Sequence, residues 1–344
     1  PGRTPYLQHR IHTNSISYVK PYRLAESELD KAQKICDEME EKGVIKRSNS
    51  PFNLPIVLVS KPSGESRFRL NLQALNKITV PCHFPTDQLR DCYDSLGSNN
   101  FYFSQLDVLA AYWSIGLHPN DTHKTAFTVR TNKYEFLVTP FGLTASPYSW
   151  AMLINMVLGS AKHSYVLSYV DDLLVYTKND WNLHLHHVQD IFSRLSDANL
   201  RLKISKCKFG TGECTFLGHV VSREGLKCDP KKVEAVTKLA RPVTKKQVRS
   251  FLGMCGFYRA MIPRFSMIAQ SLHDLTKLAR PERVVWKEEH QKAFDDLKKA
   301  LTSKPVLKFP CFDLEFILRT DASRSGIGGV LMQDFGDGVL SPIA

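Results

Sequence analysis

The stretch VLSYVDDLLVYT, residues 166–177, contains two short apolar runs that are separated only by Asp171 and Asp172. Such runs with a two-residue break are typical of a β-hairpin, so the two carboxylates are predicted at its tip. Asp-Asp lacks the glycine that tight hairpin turns prefer, and two adjacent carboxylates repel each other. The pattern therefore indicates a cation at the tip of the hairpin.

A third carboxylate, Asp107, ends the apolar run FYFSQL of residues 101–106. An acid at the end of a buried strand is either a helix N-cap or a metal-binding or catalytic group, and the residue alone leaves both open. Together with Asp171 and Asp172 it fits the second interpretation, because phosphoryl transfer with two divalent cations uses carboxylates on rigid elements. Mg²⁺ prefers a few hard oxygen ligands plus substrate phosphates, which three aspartates would allow.

The charge of the chain is strongly basic and unevenly distributed. Its 344 residues include 46 Lys and Arg against 34 Asp and Glu, a formal net charge of +12. Residues 201–250 hold thirteen of the basic residues and four of the acidic ones. This excess favours a polyanionic partner, nucleic acid first, although a charge run is also typical of a solvated surface. Asp229-Pro230 and Thr244-x-x-Gln247 predict the starts of two helices in this stretch.

Several classes of protein are excluded by the rest of the composition. No apolar stretch approaches the roughly 18 residues of a membrane span, and the first ten residues lack the apolar core of a signal peptide. Eight cysteines without a C-x-x-C pair argue against a zinc ribbon or a disulfide scaffold. His184, His186 and His187 lack an acid or cysteine to complete a metal site, so we expect a solvated helix face. We expect a soluble intracellular protein with reduced thiols.

The N-terminal part predicts a helix followed by a hairpin. Apolar residues recur at helical spacing from Glu26 to Lys42, and Gly43 follows as a left-handed cap. The runs 55–59 and 67–72 are two strands around a Lys-Pro-Ser-Gly turn. Their alternation places Arg67, Arg69 and Asn71 on one polar face.

Beyond these patterns, Tyr169-Val170-Asp171-Asp172 resembles the Y-x-D-D box of reverse transcriptases. The resemblance continues in family order through FSQLDVLAAYWSI, KTAFTVRTNKYEFLVTPFGLTASP, KISKCKF, FLGHVVSREGLKCDP and RSFLGMCGFYRAMIPRFS. An ordered set of motifs is far more specific than one Asp-Asp pair. From about Tyr18 onward, the chain resembles the polymerase of a gypsy-class LTR retrotransposon Pol polyprotein, with the start of the RNase H domain at its end.

The resemblance implies an α+β fold, the right-hand polymerase of fingers, palm and thumb with a truncated RNase H-like α/β unit at the C-terminus. Residues 1–222 would form the fingers and palm, residues 223–302 the thumb and connection helices, and residues 303–344 the RNase H-like part. That last part would contain only the first nuclease carboxylate, Asp321, so we expect the nuclease to be incomplete in this sequence.

The resemblance also implies roles for individual residues. Asp107, Asp171 and Asp172 would be the catalytic residues and would bind two Mg²⁺ ions, with Mn²⁺ as an alternative. The remaining site residues are Lys61, Arg67, Tyr112, Phe141 and Gly142 for the nucleotide, Leu217 and Gly218 for the primer grip, and Lys245, Lys246 and Arg249 for the nucleic acid.

The predicted activity is RNA-directed and DNA-directed DNA polymerisation on a primer 3′ hydroxyl. Its partners would be an RNA template, a DNA primer, their hybrid and dNTPs, in the cytoplasmic particle of the element or in the nucleus, with dimerisation left open. Six pocket residues depart from the family pattern: Ser66, Asn71, Gln73, Ala111, Ala145 and Ala151. These departures keep open a second hypothesis, a decayed or repurposed copy that binds nucleic acid, or serves as a partner subunit, without catalysis.

Overall fold

The computed structural model describes residues 2–60, 66–82, 88–303, 306–323, 326–336 and 338–343. Its α-helices are α1 (Glu26–Glu41), α2 (Gln73–Ile78), α3 (Leu89–Asp94), α4 (Ser146–Leu158), α5 (Trp181–Asp197), α6 (Pro230–Thr237), α7 (Lys245–Phe257), α8 (Phe265–Leu275) and α9 (Glu288–Thr302). Its strands are β1 (Gln8–His9), β2 (Ile45–Arg47), β3 (Ile56–Ser60), β4 (Ser66–Leu70), β5 (Tyr102–Asp107), β6 (Gly116–Leu117), β7 (Phe127–Val129), β8 (Asn132–Phe136), β9 (Val166–Tyr169), β10 (Asp172–Thr177), β11 (Lys208–Thr211), β12 (Glu213–Phe216), β13 (His219–Ser222), β14 (Gly225–Cys228), β15 (Val306–Leu307), β16 (Ile317–Ser323), β17 (Gly326–Asp334) and β18 (Leu340–Pro342). Mainly antiparallel strands between helices confirm the predicted α+β class.

The chain forms two compact units, each built from three segments. The first contains Pro1–Asp87, Leu106–Val175 and Leu185–Cys207, and the second contains Gln88–Gln105, Tyr176–His184 and Lys208–Ala344. The predicted domain limits at residues 222 and 302 stay a prediction, because this division follows packing rather than consecutive stretches of sequence.

The N-terminal part of the first unit packs α1 and two groups of antiparallel strands around one core. The helix ends where Gly43 adopts φ +63°, as its cap position predicts. The predicted hairpin is confirmed, because β3 pairs with β4 with Val57 opposite Arg69. Strands β2, β8 and β7 form a sheet in that order. The buried side chains of Tyr134 and Phe127 fill the space between these elements.

A second core of the first unit holds the β9–β10 hairpin in place. It contains Leu153 from α4, Val166 and Leu173 from the hairpin, and Ile191 from α5, all completely buried. The hairpin is as predicted, but its turn is shifted by one residue. Val170 and the first aspartate form the turn, whereas Asp172 begins β10 and pairs with Tyr169.

The second unit combines an antiparallel sheet, β12-β13-β14-β15, with helices α6 to α9. Both predicted helix starts are confirmed. The Asp229 side chain accepts a hydrogen bond from the Lys231 amide at 3.0 Å, and Thr244 forms a reciprocal capping box with Gln247. Further along the chain, β16, β17 and β18 form a separate antiparallel sheet in which Asp321 pairs with Gly328.

One histidine prediction is wrong. His184 is buried, with 1% of its surface exposed, and its ring nitrogens hydrogen-bond Ser104 Oγ at 2.8 Å and Thr177 Oγ1 at 3.0 Å. It faces inward because both hydroxyls satisfy its polar atoms, which helical spacing alone could not indicate. Among the described residues, no helix is both long and apolar enough to cross a membrane.

Candidate active site

The tip of the β9–β10 hairpin has a strained backbone. Val170 adopts φ +52°, a left-handed conformation that is a genuine outlier for a β-branched residue. The indole Nε1 of Trp150, on α4, donates a hydrogen bond to the Val170 carbonyl. Strain of this kind persists only where the surroundings hold it, and it is common at functional sites. The buried Trp150 therefore fixes the orientation of the two aspartates beside Val170.

The end of β5 brings the third aspartate to the same place. The amide of Val108, directly after Asp107, donates a hydrogen bond to the carbonyl of Asp171 at 3.4 Å. The Asp107 carboxylate is partly exposed and forms an ion pair with Lys206, with 3.1 Å between Oδ2 and Nζ. Three aspartates and one lysine thus lie at the ends of neighbouring backbone segments within the first unit.

These charges act on one another. Burial raises the pKa of Asp171 above its ordinary value, and the negative charges of Asp172 and Asp107 raise it further. Burial and then the charge of Asp107 likewise raise the pKa of Asp172. The cation that opposes both shifts is Lys206. Additional positive charge at this site would therefore stabilise the ionised form of the carboxylates.

A divalent cation fits this donor set chemically. The Oδ1 atom of Asp171 is buried and has no hydrogen-bond partner, although a buried charged acceptor normally has one. Hard carboxylate oxygens are the ligands that Mg²⁺ prefers. The described part of the chain contains no group of three His, Cys, Asp or Glu side chains already arranged around a metal position. Because Asp107 is already paired with Lys206, a cation bound at Asp107 would replace that ion pair.

An aromatic group lies beside the carboxylates. Tyr112 follows β5 on the 3₁₀ turn Ala111–Ser114, and its half-buried ring meets Phe141 edge-on, with 5.8 Å between centroids. Trp150 is its second ring neighbour, at 6.3 Å. Burial raises the pKa of Tyr112, and the charge of Asp171 adds to this effect. The predicted neighbourhood of Tyr112 and the aspartates is therefore present, whereas its role in selecting sugars stays a prediction.

The loop before α4 is held by a residue that sequence reasoning missed. Gly142 is exposed and has φ +102°. Asn76, on α2, donates to the Gly142 carbonyl at 2.9 Å and accepts from the Thr144 amide at 3.0 Å. The spacing of one asparagine on a six-residue helix contains no signal for such a contact.

The predicted triphosphate ligands are only partly described. Lys61 lies outside the described residues, and so does the side chain of Arg67, although its backbone belongs to β4. Near the start of α2, Asn71 donates from Nδ2 to the Tyr22 hydroxyl at 2.8 Å, and its Oδ1 accepts from the Gln73 amide at 3.1 Å. Asn71 is thus a structural anchor for the start of α2.

In the second unit, Leu217 and Gly218 form the tight turn between β12 and β13. Both have positive φ, +49° and +83°, which suits a two-residue hairpin turn. Tyr258 donates its hydroxyl to the Gly218 carbonyl at 2.7 Å, and Tyr93 bonds the carbonyl of Phe216 at 3.0 Å. Two buried tyrosines therefore fix the turn that the resemblance assigns to the primer grip.

The three predicted nucleic-acid contacts on α7 differ in exposure. Lys245 is buried, with 6% exposed, and its ammonium donates to the Leu278 carbonyl at 3.3 Å. Lys246 is exposed, and so is Arg249, which also donates to the Thr276 carbonyl at 2.9 Å. Lys245 therefore supports the fold of the helices, and only Lys246 and Arg249 are placed where a phosphate could reach them.

Two family models match the chain. The model described as reverse transcriptase (RNA-dependent DNA polymerase) matches residues 59–221, and the model of the RNase H-like domain found in reverse transcriptase matches residues 286–344. The second match includes α9.

Transposon polyproteins are among the relatives of the chain. It is 34% identical over 338 residues to the Retrovirus-related Pol polyprotein from transposon 297 of Drosophila melanogaster, covering 96% of this chain and 32% of that protein. It is 30% identical over 340 residues to the transposon Tf2-3 polyprotein of Schizosaccharomyces pombe, covering 98% and 25%. The chain thus spans about a third or less of the length of these relatives.

Solved structures show the same fold. A foamy viral protease-reverse transcriptase in complex with double-stranded DNA matches with a TM-score of 0.88 and 24% identity, over 100% of this chain and 60% of that chain. The foamy viral protease-reverse transcriptase in complex with an RNA/DNA hybrid matches with a TM-score of 0.82 and 22% identity, over 100% and 46%. The predicted resemblance to retrotransposon polymerases and the predicted fold are confirmed.

Proposed function

We propose a function from the premise that this chain contains a reverse transcriptase domain, residues 59–221, followed by an RNase H-like domain, residues 286–344. The protein is an RNA-directed and DNA-directed DNA polymerase that extends the 3′ hydroxyl of a primer with dNTPs. Its nucleic-acid partners are an RNA template, a DNA primer and their hybrid. It serves the replication of a gypsy-class LTR retrotransposon, in the cytoplasmic particle of the element or in the nucleus.

The observation that carries this proposal is the convergence of Asp107, Asp171 and Asp172 in the first unit, with an unpartnered carboxylate oxygen among them. These aspartates would hold the divalent cations, Mg²⁺ or alternatively Mn²⁺. When bound, the two cations would activate the primer 3′ hydroxyl and neutralise charge that develops on the transferred phosphoryl group.

The other residues of the chain bind and orient. Tyr112 would lie under the sugar of the incoming nucleotide, with Phe141 against its ring. Gly142, with no side chain, would let the backbone approach the nucleotide and the template closely. Lys61 and Arg67 would bind the triphosphate, for which an ammonium and a planar guanidinium are suited.

Two further surfaces would hold the nucleic acid. The Leu217–Gly218 turn, fixed by Tyr258, would position the primer end. Lys246 and Arg249 would contact phosphates without reading the sequence.

Primer extension tests the proposal. The purified chain with poly(rA), oligo(dT), dTTP and Mg²⁺ should extend the primer, and EDTA should stop the reaction. Hybrid affinity is measured in parallel by fluorescence anisotropy. Tight binding without any extension, with either Mg²⁺ or Mn²⁺, would overturn the proposal and support the non-catalytic alternative.

A further inference from the structure

We propose that Asn76 is a positioning residue for the incoming nucleotide, because it fixes the loop that contains Phe141 and Gly142. This inference rests on the proposed polymerase function. Asn76 does not itself touch the reacting atoms in this account, and it acts through the loop that it holds.

Asn76 uses both ends of its side-chain amide on the same short loop. Its Nδ2 donates to the Gly142 carbonyl at 2.9 Å, and its Oδ1 accepts from the Thr144 amide at 3.0 Å. The two bonds span three consecutive residues of the loop. Because a single side chain satisfies a carbonyl and an amide at once, it fixes the orientation of the peptide groups between them as well as their distance from α2.

The loop needs such a contact because of its glycine. Gly142 is exposed at φ +102°, where other residues rarely occur, and glycine has the largest choice of alternative backbone conformations. A Cβ at this position would only reach ordinary van der Waals contact, 3.5 Å from Leu72 Cδ1, so the positive φ and not a lack of space is what favours glycine here. We therefore expect the loop to sample other conformations when the two hydrogen bonds are removed.

The loop connects Asn76 to the candidate active site. The Phe141 ring, one residue before Gly142, lies 5.8 Å from the Tyr112 ring and 5.9 Å from the Trp113 ring. Tyr112 in turn is close enough to Asp171 for that charge to affect its pKa. A shift of the loop would displace the ring that supports Tyr112, whereas it would leave the aspartates on their strands.

The backbone hydrogen bonding of α2 does not depend on this side chain. The Asn76 amide makes its helical hydrogen bond to the Leu72 carbonyl at 2.8 Å, and that bond is independent of the side chain. Asn76 is only half-buried, so its removal creates no large cavity. The contact is thus better placed to hold a nucleotide-binding loop than to stabilise α2.

Three variants separate a role in nucleotide binding from a role in stability. Asn76→Ala loses both hydrogen bonds, whereas Asn76→Asp keeps the acceptor for Thr144 but loses the donor to Gly142. The control is Asn155→Ala. Asn155 lies on α4 of the same unit and accepts one side-chain hydrogen bond, from Lys162 at 2.8 Å. We expect KM for dTTP to rise about tenfold in Asn76→Ala, which loses two hydrogen bonds, and about threefold in Asn76→Asp, which loses one, since each neutral hydrogen bond contributes modestly. We expect kcat to change less than twofold, and hybrid affinity and Tm to match the control.

The pair of hydrogen bonds from Asn76 to the loop, which we call the clasp, is also measured without any turnover. Hydrogen exchange of the amides of residues 141–145 should accelerate in Asn76→Ala, accelerate less in Asn76→Asp, which keeps the acceptor for the Thr144 amide, and stay unchanged in Asn155→Ala. Unchanged KM in a folded variant would overturn the inference, as would an equal loss of kcat, hybrid affinity and Tm. If the wild-type chain extends no primer, the polymerase proposal fails, and the nucleotide role of Asn76 fails with it, whereas unchanged exchange would refute the clasp alone.

Discussion

Replacing Asp171 with asparagine should make the metal-free protein more stable while it abolishes polymerisation. The substitution removes one of three mutually repelling charges and keeps the size of the side chain. It also removes the charge from the buried Oδ1 atom, which has no hydrogen-bond partner. Site residues that repel one another are therefore retained for binding at the expense of stability.

The size of the effect follows from the removed charge, because an asparagine at this position would still leave a polar atom without a partner. Like charges a few ångströms apart repel by about 1 kcal/mol in a high dielectric, and this low figure applies because the Asp171 side chain as a whole is partly exposed. A gain of about 1 kcal/mol raises Tm by about 2–4 °C in a unit of 150–250 residues. The raised pKa of Asp171 predicts a pH dependence that agrees with this gain in stability of the variant. The ionised form is disfavoured on folding, so the wild type should lose stability relative to the variant as pH rises through the Asp171 pKa.

Thermal unfolding in EDTA and in excess Mn²⁺ tests this prediction. The Asp171→Asn variant should unfold at higher temperature than the wild type in EDTA, and it should gain less stability from Mn²⁺. Asp197→Asn, at the exposed end of α5, is the matched control and should change neither value. A variant that is less stable in EDTA, or that gains as much from Mn²⁺ as the wild type, would refute the reasoning.

Three further predictions concern other parts of the chain. Tyr112→Val should lower the ratio of kcat/KM for dNTP over rNTP, because the ring would no longer exclude a 2′ hydroxyl; an unchanged ratio in a folded variant removes Tyr112 from the site. Lys246→Gln combined with Arg249→Gln should flatten the slope of log hybrid affinity against log salt by about 1–2, whereas Lys245→Gln should mainly lower Tm. An unaltered slope in the double variant would show that these two side chains of α7 are only solvated and do not contact phosphates. Burial lowers the pKa of His9 to about 4, so His9 should contribute a loss of stability between pH 6.5 and 4, measured by urea unfolding against His9→Gln. Equal pH dependence in both proteins would contradict this assignment.

The sequence predicted the carboxylates well because their positions follow from chain direction and strand ends. Asp107 ends β5, as the apolar run before it indicates, and Asp171 and Asp172 lie where the two apolar runs of the hairpin meet, with Asp172 already in β10. The exact turn was not predictable, because Val170 adopts a left-handed conformation that its side chain disfavours and that Trp150 holds from helix α4. A contact between distant segments leaves no periodic signal in either of them.

The same limit explains the residues whose environment differed from expectation. Lys245 begins α7, and its charge predicted a surface contact, yet it is buried against the Leu278 carbonyl. His184 is buried because hydroxyls from two other segments meet its ring. Asn76 was missed for the reason that its partners lie 66 and 68 residues further along the chain. Charge and periodicity predict faces of elements, and the partners on those faces come from tertiary packing.

Single-nucleotide primer extension by Asp107→Asn and Asp172→Asn, at saturating hybrid and Mg²⁺, tests whether these carboxylates perform templated polymerisation. Both variants should bind the RNA–DNA hybrid as the wild type does, and both should lose at least about 1,000-fold in the extension rate, because metal catalysis contributes several kcal/mol. Extension by either variant within tenfold of the wild-type rate would contradict the assignment of the active site.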